Sequence, residues 1–260
     1  MRDIGTRMKE NYESVSKTKL ICRMPVAIRV DGRSFHTFTK KFHKPFDEVL
    51  IQAMQLTMMD MCKNIQGCVF GYQQSDEITL ILIDYEGFDQ ASWFDNEVQK
   101  ICSISASMAT LYFNKNFSNA VNKNTNMSNE DMIIYNEAIH SGAMFDSRCF
   151  NIPKEEVANL VYWRQQDAIR NAIEMVGRAH YSHKQLFKKN TTDIKQMLLN
   201  DYGINFDNEF ETYKKIGTAC IKKITKINNI ERSKWCLDMN MPIIKNEDRA
   251  YIESLIYVGE

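Results

Sequence analysis

Residues 26–38 read VAIRVDGRSFHTF, and residues 71–83 read GYQQSDEITLILI. Each joins a short, β-branched apolar run to an acidic turn. An Asp-Gly after alternating apolar residues ordinarily makes a turn, and Asp31-Gly32 taken alone reads that way. The second stretch changes the reading, because Asp76 and Glu77 stand at the mouth of another strongly apolar strand. Two acids at the ends of two strands make a metal site if the fold brings them together.

The flanking sequence says that it does. Val26 to Val30 predicts a strand. A polar loop with Lys40, Lys41 and Lys44 follows, and then apolar residues at 46, 49, 50, 53, 54, 58, 61 and 65 fit a helix. Cys68–Tyr72 and Ile78–Ile83 predict a hairpin around Gln73-Gln74-Ser75-Asp76. Trp93 to Tyr112 predicts a second amphipathic helix, and Ala143 to Ile152 a fourth strand. Between them the Asn-rich run KNFSNAVNKNTNMSNED, residues 115–131, reads as a surface insertion. The order strand, helix, hairpin, helix, strand is the split β-α-β unit of ferredoxin-like domains. Its crossovers leave a gap between the first two strands, which the third fills antiparallel to the first. The end of strand one then lies beside the start of strand three, so Asp31 and Asp76 are expected to meet. The fold class is α+β, a βαββαβ antiparallel sheet over residues 1–152 with a helical and β appendage over 153–260.

Two close carboxylates repel unless a cation separates them. Hard oxygen donors at this density suit magnesium, which keeps its remaining positions for waters and phosphates. Two such ions serve phosphoryl transfer. Gly32, without a Cβ, lets the backbone approach a metal or phosphate. Lys40, Lys41 and Lys44 follow in the same loop and suit a triphosphate, although each alone is an ordinary solvated lysine.

Composition narrows the class. The chain has 260 residues, 44% hydrophobic and 11% aromatic, enough for a sizeable core, and its 33 Lys+Arg balance 33 Asp+Glu. A strongly basic, histone-like protein is excluded. Seven scattered cysteines without C-x-x-C spacing point to reduced thiols rather than disulfides or zinc. The first thirteen residues are polar and charged, and no apolar run nears the roughly 20 residues that span a bilayer. These features predict a soluble cytoplasmic protein without a membrane partner.

DGRSFHTF at 31–38, KPFDE at 44–48, GYQQSDE at 71–77, FDSR at 145–148 and WRQQDAIRN at 163–171 resemble the tRNA(His) guanylyltransferase family, the 3′–5′ nucleotide polymerases. The resemblance keeps motif order from about Arg23 to about Lys223. It implies a palm domain with two magnesium ions that adds nucleotides to the 5′ end of a tRNA, using ATP or GTP. By position, Asp31 and Asp76 would be the catalytic metal carboxylates, with Gly32 giving its backbone oxygen. Arg29, Arg33, Ser34, Phe35, His36, Lys44, Ser75, Glu77 and Asn171 would line the nucleotide site, Phe35 and His36 through their backbone. Arg148 matches a basic position near the site and would serve the tRNA, and Lys188 and Lys189, outside these motifs, offer a further surface for it. The family also implies a homo-oligomer, a tetramer. Eukaryotic enzymes that add one G follow WRQAD with HINNLYN, whereas IRNAIEM stands at 169–175 and only Asn171 clearly agrees. The chain therefore looks more like the guanylyltransferase-like branch, which repairs truncated tRNA 5′ ends by templated addition.

Past residue 152, Pro153 with Glu155 and Glu156 opens a long helix. Its apolar positions include Val157, Leu160, Val161, Trp163, Ile169, Ile173 and Val176, several of them core. From Tyr213 to Lys234, seven Lys/Arg face one acid, Glu231. That is either a solvated strand face or a phosphate-binding patch carried by Lys214, Lys215, Lys222 and Lys223. His180 and His183 read as surface or packing, since no further zinc ligands match. Two other readings stay open: another palm-fold enzyme such as a nucleotidyl cyclase or 5′–3′ polymerase, and a non-catalytic tRNA-binding protein.

Overall fold

The computed structural model describes residues 3–227 and 230–259, with the side chains of 225–231 outside that description. Six strands form one antiparallel sheet: β1 Val26–Gly32, β2 Cys68–Gln74, β3 Glu77–Leu82, β4 Phe145–Asn151, β5 Thr218–Ile227 and β6 Ile230–Asp238, in the order β4-β1-β3-β2-β5-β6. The third strand does fill the gap beside the first. Val26 pairs with Leu82 and Asp31 with Glu77 across β1 and β3, and Asp31 pairs with Asp146 across β1 and β4. The C-terminal part adds β5 and β6 to this same sheet through β2.

Strand alternation divides the sheet into two faces. Val26, Ile28 and Val30 of β1, with Ile78, Leu80 and Leu82 of β3, pack under helices α1 Glu48–Asn64 and α2 Val98–Lys123. Ala27 and Ile81 face the other way, against Val157, Leu160 and Val161 of the long helix α4 Lys154–His180. Local signals fix the helix ends. The Asp47 side chain caps α1 by accepting from the Leu50 N–H. Glu155 and Glu156 sit in the first turn of α4, and Arg178 and His180 in its last, each matched to the helix dipole.

The Asn-rich run is not an insertion loop. α2 continues through Lys123, and Phe113, Phe117, Ala120 and Val121 are buried at helical spacing. Asn116 is buried too and donates to Asp60 Oδ2 at 3.0 Å, while Asn129 opens a further helix, α3 Asn129–Ser141. Asparagine composition suggested a loop, and an apolar stripe beneath it overrode that preference. The helix expected to begin at Trp93 is instead a 3₁₀ turn, Trp93–Asn96, followed by α2. No helix among the described residues is long and apolar enough to cross a membrane.

Candidate active site

Arg29 and Asp31 share a face of β1 with Ala27, the face covered by α4. The antiparallel registers put Glu77 and Thr79 of β3 and Asp146 and Arg148 of β4 beside them. The Asp76 carbonyl accepts a bond from the Gly32 N–H at 3.1 Å, which ties the end of β1 to the β2–β3 turn. Asp31 and Asp76 thus meet at the ends of two central strands, as the sequence predicts. Ser34 and Ser75, in the two turns that carry these acids, hold left-handed backbones with φ of 56° and 49°. A serine there costs about 1 kcal/mol or more, so surrounding contacts hold both turns in place. Gly32 has a steric reason as well: a Cβ there would lie 2.2 Å from the Phe35 ring. Phe35 itself is buried against Phe38, Phe113 and Phe145, anchoring the loop that follows Asp31.

The acids are electrostatically unequal. Burial pushes the Asp76 carboxyl up, the Asp31 charge adds to this, and the Ser75 hydroxyl, donating at 3.1 Å, pulls the other way. Asp31 is also raised, first by burial and then by Asp146, against the pull of Arg148, Arg29 and Arg164. Glu77 is raised by burial but held down most by Arg164. Arg164 donates from Nε to Glu77 Oε1 at 2.7 Å and from Nη2 to Asp167 Oδ2 at 2.8 Å. Arg170 closes on the same Asp167, and the Asn171 amide donates to it at 3.5 Å. Neither Asp31 nor Asp76 makes an ion pair among the described residues.

The remaining sequence-predicted residues fall into separate groups. Ser75 and Asn171 share a cavity with Gln73, Ala168, Met175 and Lys214. Arg33 and Ser34 line another, of about 320 Å³, with Lys40 and Lys41. His36 is exposed in the short turn Phe35–Phe38, and the Lys44 ammonium donates to the Thr39 carbonyl at 3.2 Å. Arg148 pairs with Asp146 at 3.0 Å. Lys188 lies over the Phe187 ring, and Lys189 lines a groove of about 780 Å³ with Arg170 and Arg178. Lys214 sits between Glu48 and Glu211 with only 14% of its side chain exposed, and Lys215 bonds the Asp207 carbonyl. Lys222 and Lys223 are exposed on β5, Lys222 over the Trp235 ring. The Lys226 side chain lies outside the described residues. His180 packs on Tyr202 and bonds the Val176 carbonyl, and no cluster of three metal-ligating side chains occurs among the described residues.

Sequence reading missed Arg164, Asp167 and Asp146 as site residues, although all three stand inside the quoted motifs. The signal was available: 164, 167 and 171 are spaced i, i+3, i+7, one stripe of α4. It left open which apolar positions of this helix are core, and Trp163 is not one of them, being more than half exposed.

An antiparallel sheet presenting paired carboxylates at the ends of its central strands, flanked by arginines, is the arrangement of palm-type nucleotidyltransferases. The comparisons agree. A family model described as tRNAHis guanylyltransferase matches residues 5–153, and the chain belongs to that family of nucleotidyltransferases. It is 39% identical to a bacterial tRNA(His) guanylyltransferase-like protein solved in complex with ATP, with a TM-score of 0.83 over 99% of this chain and 100% of that one. It is 37% identical to a second such structure, in complex with GTP, with a TM-score of 0.76 over 98% and 99% of the two chains. A probable tRNA(His) guanylyltransferase of Dictyostelium discoideum is 26% identical over 248 residues, covering 90% of this chain and 86% of that one.

Proposed function

We propose that the protein adds nucleotides to the 5′ end of tRNA by templated 3′–5′ transfer, after ATP or GTP activation where the end carries a monophosphate. The observation that carries the reading is the pair Asp31 and Asp76, half-buried, each raised by burial and without an ion-pair partner among the described residues. Such a pair fits a hard divalent cation, which would offset the burial that raises both carboxyls and the Asp31 charge that adds to it at Asp76. Asp31, Asp76 and the Gly32 carbonyl would hold two magnesium ions. Bound there, they would neutralise phosphate charge as Lewis acids. Arg29 and Arg148, paired across β1 and β4, would add positive charge for a phosphate beside the acid pair. Residues 1–152 carry this chemistry in our reading, and 153–260 complete the RNA and nucleotide contacts. The altered stretch at 169–175 favours repair of truncated ends over strict G addition.

The test incubates the protein with a tRNA lacking its first nucleotide, labelled nucleoside triphosphates and magnesium. The base opposite the gap should dictate which nucleotide is added. Addition of G alone, whatever the template, would return the tRNA(His)-specific reading. Asp31→Asn and Asp76→Asn should each lower turnover by about 10²-fold or more, since several kcal/mol of transition-state stabilisation is lost. Near-normal turnover in a folded variant would remove the carboxylate site.

A further inference from the structure

Trp163 is 53% exposed, against 9% for Trp93 and 8% for Trp235. It does not lack neighbours. The Arg164 guanidinium lies 4.6 Å from the indole centroid and that of Arg29 5.7 Å. The first cation is fixed. Arg164 is 6% exposed and held by Glu77 and Asp167. Arg29 is part of β1, on the face of Asp31 and about 7 Å before it along the strand. An indole flanked by two guanidiniums therefore stands open to solvent on the helix that covers the Asp31 face of β1. α4 turns Val157, Leu160 and Val161 inward, so the helix has an apolar face to bury and leaves this ring off it.

We infer that Trp163 is a stacking platform for a nucleobase at the reacting end, a role that rests on the nucleotidyl-transfer reading. Any base offers a π-face, so stacking holds purines and pyrimidines alike, and flanking guanidiniums add cation–π attraction. A templated reaction needs such a contact. Pairing selects the base, and the protein must grip whichever base arrives. The base comes either from the RNA end or from the nucleoside triphosphate.

The experiment follows intrinsic tryptophan fluorescence of the full chain in two arms with magnesium present, one adding 5′-truncated tRNA and one adding GTP. Trp93 and Trp235 are shielded, so Trp163 is the indole a base can quench. The arm that supplies the base should quench the wild type and leave Trp163→Phe unchanged. In that arm Trp163→Ala should bind about 5- to 100-fold more weakly, and Trp163→Phe should recover most of the loss. If GTP is the quenching arm, ATP, CTP and UTP should lose affinity in Trp163→Ala to a similar degree. Quenching in neither arm overturns the platform, and this result needs no variant to fold. Unchanged affinity in Trp163→Ala overturns it as well, as does a variant whose only change is its oligomeric size, which would mark the indole as a contact between copies. Quenching without nucleotide addition by the wild type would instead sink the nucleotidyl-transfer reading and spare the platform.

Discussion

Replacing Arg164 by Met should destabilise the protein more than any exposed charge change, and the size follows from burial. The Arg164 side chain is 7% exposed, Glu77 10% and Asp167 18%. Removing one partner of a buried pair leaves an uncompensated charge and costs roughly 3–5 kcal/mol. For a chain of this size that lowers Tm by about 6–20 °C. The cost depends on pH. Arg164 holds the Glu77 carboxyl down against burial, so its loss raises Glu77 further in the folded state while the unfolded value stays near 4.5. The folded variant then binds more protons than the unfolded chain, and its stability falls as pH rises through that window. The gap to wild type should widen from pH 5 to pH 8. Adding Glu77→Gln should recover most of the loss, giving a coupling of about 2 kcal/mol or more in a double-mutant cycle. The assay is urea unfolding followed by circular dichroism in metal-free buffer. A loss below about 1 kcal/mol, one equal at pH 5 and pH 8, or no rescue by Glu77→Gln would refute the bridge as the element that joins α4 to the sheet.

Asp76→Asn should do the opposite to the metal-free fold. The Asp76 carboxyl is raised above 3.8, so its charge costs stability at neutral pH, and the variant should melt higher than wild type at pH 7–8 with the difference vanishing towards pH 4. Magnesium should raise the Tm of wild type and leave the variant unmoved, and thermal scans with and without the ion read both effects. Changing Lys222 and Lys223 together to Ala should reduce the slope of log K for tRNA against log salt by about 1 to 2 units. Lys214→Ala should lower Tm through the lost contacts to Glu48 and Glu211 and leave that slope unchanged, and filter binding beside thermal melts separates the two lysine groups.

The sheet order was legible because the short, strongly apolar runs of β1 and β3 and the acids at their ends follow from local pattern. Asp31 and Asp76 could be placed together because crossover handedness admits few alternatives. What escaped depends on partners distant in sequence. Nothing near Lys214 reveals Glu48, which turns an apparent RNA contact into a half-buried ion pair. Nothing near Asn116 reveals Asp60, so a run of asparagines passed for loop when it caps a buried helical stripe. Trp163 stood among the apolar positions of this helix without a side assigned to it, and only the position of α4 over Arg29 shows the indole outside the core.

Asp76 and Glu77 are adjacent in sequence and both raised by burial, yet the fold treats them differently. Strand pairing turns Glu77 under α4, where a buried arginine neutralises it and Thr79 shares its oxygen. Asp76 stays in the turn, facing Asp31, with a serine hydroxyl as its side-chain partner. A fold selected for stability alone would give the second acid a cation as well, since α4 already brings Arg170 and Arg164 to this side of the sheet. Those arginines are instead committed to Asp167 and Glu77. The result is a rigid cationic clamp around one acid and an open, repelling pair beside it. The clamp fixes the strand ends, and under the function proposed above the pair beside it is what a divalent cation would bind.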